Sequence, residues 1–298
     1  MQFSKQQKQI TGFVLIAFAV AIIVMATRMG NMNPGGYESP NMAAALQQPS
    51  LGFDRNDYPG DAALPGLRRT YSFSSYWLNN PPGENANSWA GKRNLFVENN
   101  FGFLVLFNGR TSKELKSEAA AAQLGASDAE AAGASAKREG FPNDTVIFLD
   151  QEEGGRMLPS QKAYIYAWID GVKKAGFRGG IYCSAIAVND GGEQVMTAED
   201  IRAHAGDRAI VFWVYNDACP PSPGCVYASN APKPAASGFA LAEVWQFSQS
   251  PRRQEYTQRC APTYDADGNC YPPAESGSGK IFLDLDSANS PDPSHGGG

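Results

Sequence analysis

The sequence predicts an α/β protein, an irregular (β/α)8 barrel of the TIM type in which the late helices are missing. Three observations predict it. Eight short runs rich in β-branched and aromatic residues recur between turn signals, at 51–54, 70–78, 101–107, 145–150, 179–184, 209–215, 242–247 and 280–286. Helical stretches alternate with the early runs, which calls for a parallel sheet with crossover connections, and eight such strands imply closure. After the sixth run the connections turn rich in Pro and Gly and lose the helical period, so the last third is expected to be less regular.

Residues 1–27 precede any of this. Lys5 and Lys8 stand before an uncharged run at 10–26, which at ~1.5 Å per residue just reaches the ~30 Å hydrocarbon thickness with help from its flanks. Positive charge lies mostly before the run, so the N-terminus is expected to stay cytoplasmic. The rest is then exported to the periplasmic or cell-surface side. Val24-Met25-Ala26 also makes an acceptable cleavage site, so the segment reads either as a retained signal anchor or as a signal peptide. Residues 28–50, rich in Gly, Pro, Asn and Gln, read as a linker. The barrel is expected over 51–289, and 290–298 as a disordered polar tail with no core to join.

Helical stretches are expected at 85–100, 112–124, 127–140, 159–176 and 197–206. The fourth is the clearest: Tyr164, Trp168 and Val172 recur at helical spacing, Pro159 suits the start and Gly176 the stop. With 298 residues, 43% hydrophobic and 18% charged, the chain can bury a core the size of one barrel, typically about 250 residues. Its formal charge of -5 gives no basic footprint and argues against nucleic acid as a partner. Cys219 and Cys225 bracket one short polar loop, Cys260 and Cys270 another, and two local disulfides would staple them outside the cytosol. Cys183 reads as a small buried hydrophobe. No Cys/His spacing resembles a zinc site, and neither a metal nor a cofactor is implied.

In a parallel barrel the strand-to-helix loops gather function at the C-terminal strand ends. Alternation along the fourth run puts Val146, Phe148, Asp150 and Glu152 on one face and Ile147, Leu149, Gln151 and Glu153 on the other. Positions two apart separate α-carbons by roughly 6.6 Å, so Asp150 and Glu152 fit one sugar-sized site. Phe282, Asp284 and Asp286 share a face of the last run, and Asp54 ends the first. Carboxylates converging on one mouth cannot all stay ionised, which splits them into proton donor and anion as glycosidic cleavage requires. Tyr182, Trp213, Tyr215, Asn216, Trp245, Gln246 and Asp286 are the candidate sugar contacts. A plainer reading stands beside each: acids at strand ends also cap helices or pair with arginine, and Trp213 and Trp245 suit a core.

Together GFDRND, FLDQEEGG, GGIYCS, VFWVYND, EVWQFS and FLDLD resemble the glycoside hydrolase family 25 lysozymes. They resemble more closely an uncharacterised family of bacterial glycoside-hydrolase-like barrels, across about 51–289. The resemblance implies an irregular barrel and muramidase action on peptidoglycan or another envelope glycan. By position it also implies a site of Asp54, Asp150, Glu152 and Asp284, with Glu152 the proton donor and Asp150 the carboxylate that orients or stabilises the reacting centre. The chain departs from the lysozyme pattern at Arg55-Asn56-Asp57, at 79–94 and in the alanine-rich insertion. Two other functions therefore stay open, a catalytically silent glycan-binding barrel and a structural subunit of a membrane complex with membrane-protein partners.

Overall fold

The computed structural model describes residues 48–227, 231–256 and 259–297. The expected membrane segment at 10–26 and nearly all of the linker lie outside them. Among the described residues no helix is long and apolar enough to cross a membrane.

The chain runs β1 (Ser50–Asp54), α1 (Leu64–Leu67), β2 (Phe73–Trp77), α2 (Arg93–Glu98), β3 (Gly102–Asn108), α3 (Glu118–Glu139) and β4 (Val146–Asp150). It continues through α4 (Pro159–Lys174), β5 (Arg178–Ser184), β6 (Val188–Asp190), β7 (Glu193–Val195), α5 (Thr197–His204), β8 (Val211–Tyr215), β9 (Ala242–Ser248) and β10 (Asp284–Ala288). Eight of the strands close a barrel in the order β1-β10-β9-β8-β5-β4-β3-β2, while β6 and β7 form a separate hairpin. Every barrel strand falls on one of the eight expected runs, although β10 begins at Asp284 rather than at 280.

The expected direction of the last strand fails. The sheet is not wholly parallel, because β10 runs antiparallel to both β1 and β9. A parallel neighbour requires a crossover to the far end of the barrel. Among its described residues the 249–283 connection holds only short 3-10 turns. It stays at the end where β9 finishes, so the chain re-enters the barrel from the mouth.

The alanine-rich insertion forms one helix, α3, where two were expected. The Ser117 Oγ accepts from the Ala120 amide at its start, and Gly140, in the left-handed region, ends it. Small residues let α3 lie close against α4: a Cβ at Gly125 would come 2.3 Å from the Tyr164 carbonyl oxygen, and one at Gly171 would meet Ala129 at 2.6 Å.

The cysteines pair across loops rather than within them. The bonds are Cys219–Cys260 and Cys225–Cys270, so the expected local staples at Cys219/Cys225 and Cys260/Cys270 are corrected. Two segments far apart in sequence meet beside β9, and spacing within either loop carries no sign of that. Cys183 is fully buried, as read. The stretch after 289 also differs from expectation, since through Gly297 it packs against the far end of the barrel. The Ser294 carbonyl accepts from the Val146 amide at 2.8 Å and its hydroxyl from the Val105 amide at 2.9 Å. Asp292 accepts from the Phe103 amide at 2.8 Å. The segment thus satisfies strand-end donors that would otherwise be buried without partners.

Candidate functional site

The mouth is built from the inward-facing positions at the strand ends. Asp54 pairs in register with Asp284, and Gly52, which has no side chain to place, with Asp286. Asp150 lies opposite Tyr182, Tyr182 opposite Trp213, and Tyr215 opposite Gln246. Because β10 enters from the mouth, its first residue, Asp284, stands at the rim and Asp286 lies one layer deeper.

A chain of side-chain hydrogen bonds fixes the floor. The Tyr182 hydroxyl and the Gln249 amide donate to Gln246 Oε1 at 2.8 and 2.9 Å, which directs Gln246 Nε2 to Asp54 Oδ2 at 2.8 Å. Trp213 Nε1 donates to Asp286 Oδ1 at 3.0 Å, and Oδ2 of that carboxyl has no donor from the protein. Asp286 is fully buried. Burial first, then the Asp54 charge, holds Asp286 well above the usual carboxylate range. Asp54 itself is pushed up to about 6 by burial, against the lowering effect of its donor Gln246.

The other three carboxyls complete the cluster. Asp150 is buried with Oδ1 unpartnered, and burial followed by the charges of Glu152 and Asp54 raises it well above its ordinary value. Glu152 lies just past the strand end with its side chain in solvent, yet the crowding walls of the mouth raise its pKa by desolvation. Asp284 is raised mainly by burial and then by Asp54, with the Ser250 amide donating to it in opposition. Among the described residues none of the five forms an ion pair with lysine or arginine. Arginine pairing, the plainer reading, therefore does not account for them.

The neighbours on the other face serve the loops. Glu153 accepts from the Ser112 amide and hydroxyl, both at 2.8 Å, and from Gln161 Nε2 at 2.7 Å, tying the β3–α3 loop to the start of α4. Arg156 bridges Asp190 and Glu193 of the β6–β7 hairpin, at 2.9 and 2.6 Å. The Tyr215 hydroxyl donates to the Glu152 carbonyl at 2.9 Å and so fixes the backbone that carries Glu152.

The expected sugar contacts divide. Tyr182, Tyr215, Gln246 and Asp286 join the network beneath the mouth. Trp213, 1% exposed, is part of its packed floor, with ring centroids 4.6 Å from Tyr182 and 5.7 Å from Phe148. Asn216 is turned away, donating to the Ser237 carbonyl at 2.7 Å and accepting from the Ala218 amide. Trp245 lies on the face of β9 opposite Gln246, buried and donating to the Asn216 carbonyl at 3.0 Å. Neither Asn216 nor Trp245 presents a side chain to the mouth. Two rim residues went unread in the sequence, Trp77 and Asn108, the last inward positions of β2 and β3. The alternation used for Asp150 would have found both. A cavity of about 580 Å³ opens beside the cluster, lined among others by Asn79, Asn108, Arg110, Thr111, Asp150 and Glu152.

Residues 88–218 match the model of a family described as Rv2525c-like, glycoside hydrolase-like domain. The resemblance to that family is shown. The match runs from α2 to just past β8 and takes in Asp150 and Glu152. No curated protein matches the chain. Among solved structures, an uncharacterised protein of B. stearothermophilus shares 20% identity at a TM-score of 0.51, over 80% of this chain and 95% of its own, and shows the common fold. The Clostridium perfringens spore cortex lytic enzyme SleM is 15% identical at 0.48, over 81% of this chain and 68% of its own. The Mycobacterium tuberculosis Tat-secreted protein Rv2525c is 12% identical at 0.47, over 82% and 96%.

Proposed function

We propose that this glycoside-hydrolase-like barrel is exported and acts on cell-wall glycan, peptidoglycan in the first place, by carboxylate acid/base chemistry. The observation that carries the reading is the convergence of five carboxyls, Asp54, Asp150, Glu152, Asp284 and Asp286, on one mouth with no lysine or arginine among the described residues at ion-pair distance from any of them. Glu152, raised and open to solvent beside the cavity, is the proton donor to the leaving glycosidic oxygen. Asp54, which accepts a hydrogen bond from Gln246 Nε2, carries the negative charge that stabilises the positive charge developing on the sugar. Asp150, between them, orients the reacting centre. The two long-range disulfides support an oxidising compartment outside the cytosol.

Replacing Glu152→Gln should abolish release of new reducing ends from purified peptidoglycan while leaving the melting temperature unchanged. Undiminished release by that variant removes the acid role. A second reading rests on a specific observation as well: every carboxyl of the cluster is raised. Carboxyls that hold their protons more tightly than usual bind sugar hydroxyls without breaking the linkage, and binding of peptidoglycan fragments without product would favour that silent barrel.

A further inference from the structure

The floor network leaves an open question about sugar stacking, since Tyr182, Trp213 and Trp245 are all buried. Among the described residues the exposed large hydrophobics are five aliphatics and one aromatic, Phe282, at 45% exposure. It stands two residues before Asp284, on the β1–β10 flank of the mouth. The Arg55 guanidinium lies over its ring, 5.3 Å from the centroid.

Arg55 is held in place from the neighbouring strand. Its amide donates to Ser75 Oγ at 3.2 Å, and its carbonyl accepts from Trp77 Nε1 at 3.0 Å. Among the described residues its Nε is buried without an acceptor, and no carboxylate reaches ion-pair distance. The two side chains wall a cavity of about 210 Å³ together with Asn56, Asp57, Glu84, Ser250 and Asp284. One cation among three acids is a poor receptor for a free anion. An apolar ring face, carboxyl acceptors and a guanidinium donor converging on one small cavity suit a polyhydroxylated ring.

We propose that Arg55 and Phe282 form a second saccharide subsite, which takes a neutral sugar ring, its apolar part against the exposed part of the Phe282 side chain and an acceptor oxygen on the Arg55 guanidinium. The proposal rests on the glycan reading above and deepens it. Asp284 belongs both to this cavity and to the acid cluster, so a chain bound here continues into the mouth. It also gives a use to the Arg55-Asn56-Asp57 stretch, a departure from the lysozyme pattern.

The test is calorimetric titration with an unsubstituted N-acetylglucosamine tetrasaccharide, on the full exported domain carrying Glu152→Gln so that turnover does not interfere. Adding Phe282→Ala or Arg55→Gln should weaken binding about tenfold each, while the melting temperature of the exposed-site variant Phe282→Ala stays unchanged. Affinity unaltered by both substitutions overturns the subsite and leaves the glycan reading standing. No binding by the Glu152→Gln parent overturns both. A same-length strand with carboxylated rings that binds more tightly than the neutral one, through Arg55, overturns the neutral-ring assignment.

Discussion

Up to β8, each connection between barrel strands carries an α-helix; beyond it, among the described residues, none does. The two parts solve one problem differently. A barrel strand must cover its outer face, and α3 and α4 do this by close approach at Gly125 and Gly171. Around β9 and β10 the cover comes from two irregular loops held by Cys219–Cys260 and Cys225–Cys270. Side-chain bonds reinforce them: Ser222 donates to the Phe247 carbonyl, and Ser248 to the Tyr264 hydroxyl at 2.9 Å. The acid cluster draws on both parts. Asp54, Asp150 and Glu152 come from the helix-backed part, while Gln246, Asp284 and Asp286, which set the state of Asp54, come from the stapled one. Helices make one side rigid without chemistry, whereas covalent bonds let the other dispense with them.

The largest effect should come from the staples. Each disulfide joins residues 41 or 45 apart in sequence, and removing one by paired Cys→Ala should cost about 2–5 kcal/mol. Hydrogen exchange should rise first in β9 and β10 while β4 stays protected. An unchanged melting temperature under strong reductant would erase the distinction between the two parts.

Next comes the seam. Asp54 has a folded pKa of about 6 against an ordinary 3.8, so the folded state binds its proton more tightly than the unfolded chain. Its contribution is full below about pH 3.8 and is lost as pH rises through about 6, amounting to as much as about 3 kcal/mol. Denaturant titrations of the parent and Asp54→Asn at pH 4 and pH 7 should show a steeper loss in the parent. Parallel pH profiles would mean that Asp54 is not raised.

The smallest effect tests the helical side. Gly125→Val drives a side chain into the Tyr164 carbonyl and should destabilise by about 1–3 kcal/mol, equally with and without reductant. A loss that depends on reductant would show that the two parts are not independent.

All eight strands were legible in the sequence, because each alternates or runs apolar between turn signals. So were the inward positions of Asp150 and Asp54. The β6–β7 hairpin was legible too, with Asp190-Gly191-Gly192 at its turn, but went unread. Asn216 and Trp245 were misread because residue type alone does not say which face of an irregular strand end meets the mouth.

The sequence by itself determined the barrel strands, the later helices α4 and α5 and the acids at the strand ends, since these follow from local periodicity and side-chain chemistry. The direction of β10, the pairing of the four cysteines, the docking of 290–297 and the raised pKa values of Asp54 and Asp286 were decided only in the tertiary structure. Each depends on which distant segments meet, and on the burial that the meeting imposes.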